Sequence, residues 1–331
     1  MSKAKVVRFF KTGGPEVLEL IEEDIAGLGP NEIRIRVEAI GLNRAEALFR
    51  SGTYLEAPVL PARLGYEAAG VVDAVGDAVT DFAPGDRVST IPAFSLNEYG
   101  VYGEIATVPA HAVTKHPDSL SSQQAAATWM QYLTAYGALI DICGLKAGQT
   151  ALITAASSSV GLAAIQIATR QGARVIATTR TVEKRDFLLA NGAEEVIVTN
   201  DEDLAKRVLT ITDQIGADVI FDPVSGPQVE ILASIAAQGG QIIIYGGLDP
   251  APTPFPLFSA LGKGLTLRGY VVFEITQQPT RLAPAIEYIA KGLADGGLVP
   301  IIDEVFHISD IRAAHAYLER NKQRGKIVVE V

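Results

Sequence analysis

The sequence predicts an α/β protein in which a doubly wound parallel sheet is joined to a smaller β-rich unit, and three observations carry that prediction. The first 120 residues alternate short apolar runs with turn signals, from about residue 124 the pattern changes to repeated strands and helices, and residues 151–184 read as one complete strand, turn, helix and strand. With 331 residues, 48% hydrophobic and 20% charged, the chain is long enough for two domains with filled cores.

Residues 32–38 (EIRIRVE) alternate polar and apolar side chains strictly, the pattern of an antiparallel strand with one face in water. Residues 70–75, 86–90 and 103–108 are further short β runs, so this part is expected to form a compact β-barrel-like domain. Beyond it, the apolar runs 195–198, 217–222 and 240–245 each follow a helical segment, which is the rhythm of a parallel sheet built by crossovers. After Gly269 the chain reads as a helix through Ile286 and Ile289, a β stretch near Val305, a helix over 310–321 and a closing strand, KIVVEV, at 326–331.

The unit at 151–184 carries the strongest functional signal. The run 151–154 is a candidate buried strand, small residues fill 155–159, and Val160, Ala164, Ile167 and Ala168 recur at helical spacing until Gly172. A helix that starts where a strand ends aims its free N–H groups and the positive end of its dipole at the space above the turn, where a pyrophosphate fits. The usual three-glycine fingerprint is reduced here to Gly161, with Ala156 and Ser158 in the other two places, the next smallest residues available. Taken alone the turn is also compatible with a crossover that binds nothing.

The end of the second strand sharpens the reading. A site for unphosphorylated dinucleotide carries an acid there, about 20 residues beyond the turn, for the ribose 2′-OH. This chain has Thr178, Thr179 and Arg180, with Lys184 one helical turn later. Arg180 suits bidentate pairing and Lys184 supplies a point charge, so the two together suit a 2′-phosphate and hence NADPH. A solvated helix start is the competing reading, but cations in a first helical turn oppose the helix dipole and so favour an anionic partner.

Composition excludes other classes. A net charge of −10 and a pI near 5.0, with no basic run, speak against nucleic-acid binding. The N-terminal MSKAKVVRFFKTGG has no apolar core or cleavage site, so no secretory signal and a cytoplasmic location are expected. The uncharged windows 119–140 and 147–169 are interrupted by Ser, Gln and Gly and read as core helix and nucleotide crossover, so no membrane segment is expected. One cysteine, Cys143, forbids an internal disulfide and reads as a small packed hydrophobe. Four histidines, His111, His116, His307 and His315, show no metal-ligand spacing with it, and no metal site is expected.

The segments AIGLNRAEALFRSGTY (39–54), LGYEAAGVVDAVG (64–76), APGDRV (83–88), AATWMQYLTAYGAL (126–139) and TAASSSVG (154–161), with the closing RGKIVVEV (324–331), resemble in order and spacing the zinc-free quinone oxidoreductase branch of the medium-chain dehydrogenase/reductase superfamily. The resemblance spans essentially the whole chain. It implies a GroES-like catalytic domain over 1–125, a Rossmann NADPH-binding domain over 126–271 and a return segment, 272–331, that completes the catalytic domain. It further implies a cofactor in the cleft and homodimers formed by joining Rossmann sheets edge to edge. Zinc-dependent relatives have a cysteine near Asn43 and a histidine where this chain reads Gly65-Tyr66-Glu67, so both expected ligands are missing, and with them the Lewis acid that activates an alcohol.

By the same resemblance, Asn43, Gln131 and Thr134 line the nicotinamide end, Ala156, Ser158, Ser159, Val160 and Gly161 the pyrophosphate, and Thr179, Arg180 and Lys184 the adenosine end. Gly246, Gly247 and Tyr270 flank the nicotinamide ribose. Tyr54, Tyr66 and Asn43 are the catalytic candidates, although each tyrosine equally suits a buried ring whose hydroxyl has found a backbone partner. The implied activity is NADPH-dependent hydride transfer to a small-molecule quinone or α,β-unsaturated carbonyl without zinc. An enoyl-type reductase of thioesters or lipid aldehydes, and a cofactor-binding protein of little turnover, are the alternatives.

Overall fold

A computed structural model describes residues 3–331, which fall into two compact units: the chain up to Met130 together with Pro300–Val331, and Gln131–Val299. The expected joins at 125/126 and 271/272 both fall before the observed divisions at 130/131 and 299/300, the first by a few residues and the second by the length of a helix and its flanks. The helix Pro279–Ala294, read from sequence as part of the return segment, packs in the second unit: Arg281 bonds Asp141, Gln171 Nε2 donates to Tyr288 at 3.1 Å, and Arg170 is bidentate to Asp295 just past the helix end. These are bonds over long sequence separations, which local pattern does not display.

The first unit is built on a seven-stranded sheet whose central strand, Glu32–Gly41, pairs antiparallel with Glu67–Val75, Ile105–Pro109 and the last strand, Lys326–Glu330. Alternation predicted a half-exposed strand here, and Ile33, Ile35, Val37 and Ala39 are indeed buried while the residues between them are less so. The pairing Val328↔Gly41 places the chain's closing segment beside the start of the helix Arg44–Ser51, a placement with consequences below. A second, three-stranded sheet is made of Lys3–Phe9, Glu19–Asp24 and Ala62–Arg63.

The second unit is a six-stranded parallel sheet in the order Glu195–Val198, Arg174–Thr179, Thr150–Ile153, Ala217–Asp222, Ala236–Ile244, Thr266–Gly269. The strand order reverses beside Thr150–Ile153, and ligands of such sheets bind outside the carboxyl ends at that point. Leu152, Ile176, Ile197, Ile220 and Ile242, one from each of five strands, are fully buried in one cluster. Burial of each stabilises by about 1.5–3 kcal/mol. The helix Ser159–Arg170 buries Leu162, Ala163, Ile165 and Ile167 and ends at Gln171 and a left-handed Gly172, φ 75°. The fold is thus the α/β architecture the patterning predicts. No helix among the described residues is long and apolar enough to cross a membrane.

Candidate active site

In the second unit the candidate residues gather at the carboxyl ends of the strands. Thr150–Ile153 is followed by a tight turn in which Ala155, not Ala156, takes the left-handed conformation, φ 46°. Ala156 is fully buried, with its N–H donated to the Thr178 carbonyl at 3.1 Å. Ser158 caps the twelve-residue helix Ser159–Arg170, its Oγ accepting from the Gly161 N–H at 3.0 Å. Gly161 is the fingerprint residue that could not be replaced, because a Cβ there would lie 2.5 Å from the Ala156 carbonyl oxygen. Close helix–turn packing therefore keeps the one glycine that survives, and the remaining first-turn N–H groups at Ser159 and Val160 have no intrahelical acceptor.

The residues expected at an adenosine end lie together at and beyond the end of the strand Arg174–Thr179. Thr178 and Thr179 are buried at the end of Arg174–Thr179 and Arg180 is exposed immediately after them. Lys184 reaches back to donate to Ser157 Oγ at 2.9 Å, so the cation and the phosphate turn are directly joined. On the neighbouring strand, Thr154 Oγ1 donates to Asp222, whose carboxylate also accepts from Ser225 N at 2.7 Å and Gln228 Nε2 at 2.9 Å. Burial raises the Asp222 carboxyl, and these bonds oppose the rise.

Gln131 and Thr134 lie on the helix Trp129–Tyr136, both nearly buried, and the Gln131 side-chain oxygen has no hydrogen-bond partner. An orphan buried acceptor suits a ligand N–H. Gly246 and Gly247 are exposed beyond the strand Ala236–Ile244, and a Cβ at Gly246 would lie 2.8 Å from the Pro223 oxygen. Tyr270 is different: its ring is buried against Gly137 and its hydroxyl donates to the Leu133 carbonyl at 3.3 Å, a packing role.

In the first unit, Asn43 begins the helix Arg44–Ser51 and is spoken for internally. Its amide donates to the Gly41 carbonyl at 3.1 Å and to Glu46 Oε1 at 3.2 Å, while its Oδ1 accepts from Lys326 Nζ at 2.7 Å. Any donation to an acceptor molecule must displace one of these bonds. Glu46, fully buried, accepts from Asn43 N at 2.6 Å, Tyr66 N at 3.0 Å and the Tyr102 hydroxyl at 2.8 Å. Burial raises its carboxyl, opposed by those bonds and by the Lys326 charge. Lys326 also pairs with buried Glu67, which accepts from Met130 N at 3.1 Å.

Tyr66 is fully buried, its ring 5.7 Å from that of Phe94, and its hydroxyl interacts with that of half-buried Tyr54. Burial raises both phenols above their ordinary range, so both protons are held at neutral pH. The loop after Tyr54 is fixed through Glu56, which accepts from Ser95 Oγ at 2.6 Å and Leu96 N at 3.0 Å. Tyr54 is therefore the more accessible donor and Tyr66 its support. No group of three or more His, Cys, Asp or Glu side chains placed to hold a metal occurs among the described residues. His116 bonds Ser89 Oγ, and burial lifts the Cys143 thiol to about 12, so neither is a poised ligand or nucleophile.

Sequence reading assigned no part in this network to Glu46, Glu67, Lys326, Tyr102 or His315. A lysine opening the apolar run KIVVEV and an acid inside AEALF were the available signals, since charges in buried segments must be paired.

The GroES-like and Rossmann-type units define the class: a medium-chain dehydrogenase/reductase, an oxidoreductase fold. The family description "Alcohol dehydrogenase GroES-like domain" matches residues 29–118, and "Zinc-binding dehydrogenase" matches residues 159–291. The chain is 35% identical over 318 residues to a quinone oxidoreductase of Pongo abelii, covering 94% of this chain and 92% of that one. It is 34% identical over 328 residues to one of Pseudomonas aeruginosa, covering 98% and 99%. A solved quinone oxidoreductase of Escherichia coli complexed with NADPH superposes with TM-score 0.91 at 30% identity, over 99% of this chain and all of that one, 100%. The chain belongs to the quinone oxidoreductase, zeta-crystallin-like branch of the medium-chain dehydrogenase/reductase superfamily.

Proposed function

We propose that this protein is an NADPH-dependent reductase of quinones or α,β-unsaturated carbonyls that works without zinc. The observation that carries the cofactor choice is the Lys184–Ser157 bond beside Arg180, at a strand end that lacks the acid a ribose 2′-OH requires. The residues fit such a cofactor: the Gly161 cradle, the uncommitted N–H groups of the helix Ser159–Arg170 and the orphan Gln131 oxygen are the features a dinucleotide would occupy. When bound, the reduced nicotinamide supplies the hydride. Arg180 and Lys184 hold the 2′-phosphate, and Ser158 with the first helical turn holds the pyrophosphate.

The acceptor's side of the chemistry falls to Tyr54. Hydride arrival leaves negative charge on a carbonyl oxygen, which a hydrogen-bond donor must meet. Tyr54, protonated and supported by Tyr66, is that donor. Asn43 and Tyr66 stand where zinc-dependent relatives carry ligands, and neither is a metal-binding type suited to zinc. Homodimers are part of the proposal: the edge strand Thr266–Gly269 is flanked by exposed Phe255, Phe258 and Leu261, the apolar border an edge-to-edge contact would cover.

The test is to incubate the protein with NADPH and a panel of quinones, alkenals and alkenoyl thioesters and to follow cofactor oxidation at 340 nm. Turnover of quinones or alkenals is expected. Tight NADPH binding with no oxidation by any acceptor would point instead to a binding protein.

A further inference from the structure

Tyr245 follows the strand Ala236–Ile244, its N–H bonded to the Asp222 carbonyl at 3.0 Å. Its ring stacks flat on buried Phe221, centroids 4.0 Å apart at 16°. That stack fixes where the hydroxyl points, yet the hydroxyl is buried with no hydrogen-bond partner. Phenylalanine would make the same stack and leave no buried oxygen to satisfy, so stacking alone does not account for the hydroxyl.

Two groups lie near it. The Asp222 carboxylate is already bonded to Thr154, Ser225 and Gln228. The other is Ser158, the cap of the phosphate-turn helix, whose side chain interacts with the phenol and whose Oγ accepts only from Gly161 N. A serine hydroxyl accepts two bonds and donates one, so Ser158 has a proton to give and a lone pair left. An anion seated on the helix N-terminus would take that proton, polarise the hydroxyl and turn it into a better acceptor.

We propose that Tyr245 is a positioning residue for the cofactor that works through Ser158: its hydroxyl donates to Ser158 Oγ when Ser158 donates to the pyrophosphate of the bound dinucleotide. This rests on the cofactor reading above and extends it to a residue outside the phosphate turn. The relay concerns the pyrophosphate alone and is indifferent to the 2′-phosphate.

Calorimetric titration of the full chain with NADPH and with NADH tests it, alongside thermal unfolding of the cofactor-free protein. Tyr245→Phe is expected to weaken both cofactors equally, by about 3- to 10-fold, with a melting temperature that stays the same or rises. In a Ser158→Gly background, a cap tolerated by helices, the same substitution is expected to have no effect on binding. Unchanged affinity in Tyr245→Phe, a full effect in the Ser158→Gly background, or a loss confined to NADPH would overturn the proposal. So would a lowered melting temperature with unchanged affinity, which marks a packing role. If the native chain bound no dinucleotide, the cofactor reading would fall with it; native binding matched by Tyr245→Phe sinks this inference alone.

Discussion

Glu46 and Arg50 stand one turn apart on the helix Arg44–Ser51, and their charges are joined through two rings. Arg50 donates to His315 Nδ1 at 2.7 Å, His315 Nε2 meets the Tyr102 hydroxyl at 3.3 Å, and Tyr102 donates to Glu46 Oε2 at 2.8 Å. A guanidinium only donates, so Nδ1 must accept and the imidazole proton sits on Nε2. Every donor in the chain is thereby assigned, and the imidazole must be neutral.

That neutrality gives a pH dependence. Burial, reinforced by the Arg50 and Arg44 charges, holds His315 down at about 3. The unfolded chain takes up this proton near pH 6.5 while the fold refuses it, so stability is full above that pH and falls as the pH drops towards 3. At pH 5 the loss is about 2 kcal/mol. His116, held at about 4 by burial, acts in the same direction. Urea denaturation at pH 7.5 and 5.0, with NMR of the imidazoles, checks this; an imidazolium at His315 in the folded protein at pH 5 would refute it.

The Glu67–Lys326 pair is buried on both sides. Lys326→Met leaves Glu67 unpaired and should cost about 3–5 kcal/mol, whereas Lys326→Met with Glu67→Gln should recover much of that loss. Denaturant midpoints of the two variants decide it, and equal losses would mean that packing around Lys326, not charge, is what matters.

Arg180→Ala should weaken NADPH by roughly 10- to 150-fold, the worth of one charged hydrogen bond or a little more, while barely changing NADH. Titration with each cofactor measures the ratio. An equal loss for both would remove the 2′-phosphate assignment.

Tyr54→Phe should lower turnover on enones by roughly 100-fold, the low end for general acid catalysis, and much less on quinones. A hydroquinone anion is stabilised and water protonates it, whereas an enolate depends on a placed donor. Steady-state rates on both acceptor classes test this. If the two fell together, or neither fell, Tyr54 would be a wall of the pocket and not its acid.

Activity should survive prolonged dialysis against a chelator, with no stoichiometric zinc by elemental analysis. One tightly held zinc per chain would contradict the metal-free reading that Asn43 and Tyr66 motivate.

Much of the second unit was legible because its contacts are local. The strand at 150–153, the turn, the helix to Arg170 and the strand ending at Thr179 are consecutive, so apolar spacing and one glycine disclose them. The positive φ at Ala155, where glycine was looked for at the next residue, shows the limit of a fingerprint: alanine bears a left-handed conformation when the residues on either side hold it there. Asn43 was legible as a residue of note, but not its full commitment to Gly41, Glu46 and Lys326.

The sequence by itself determined the fold class, the strand–turn–helix unit at 150–170 and the cations that follow its second strand, because periodicity, small residues and charge order act over a few positions at a time. The tertiary structure alone decided what the buried charges do. Lys326 meets Asn43 across 283 positions and His315 meets Arg50 across 265. Tyr270, expected at the cofactor, spends its hydroxyl on Leu133, and Tyr245 is left with one unspent. Whether a buried polar group is committed or available depends on which distant segment the fold brings to it, and no local pattern carries that information.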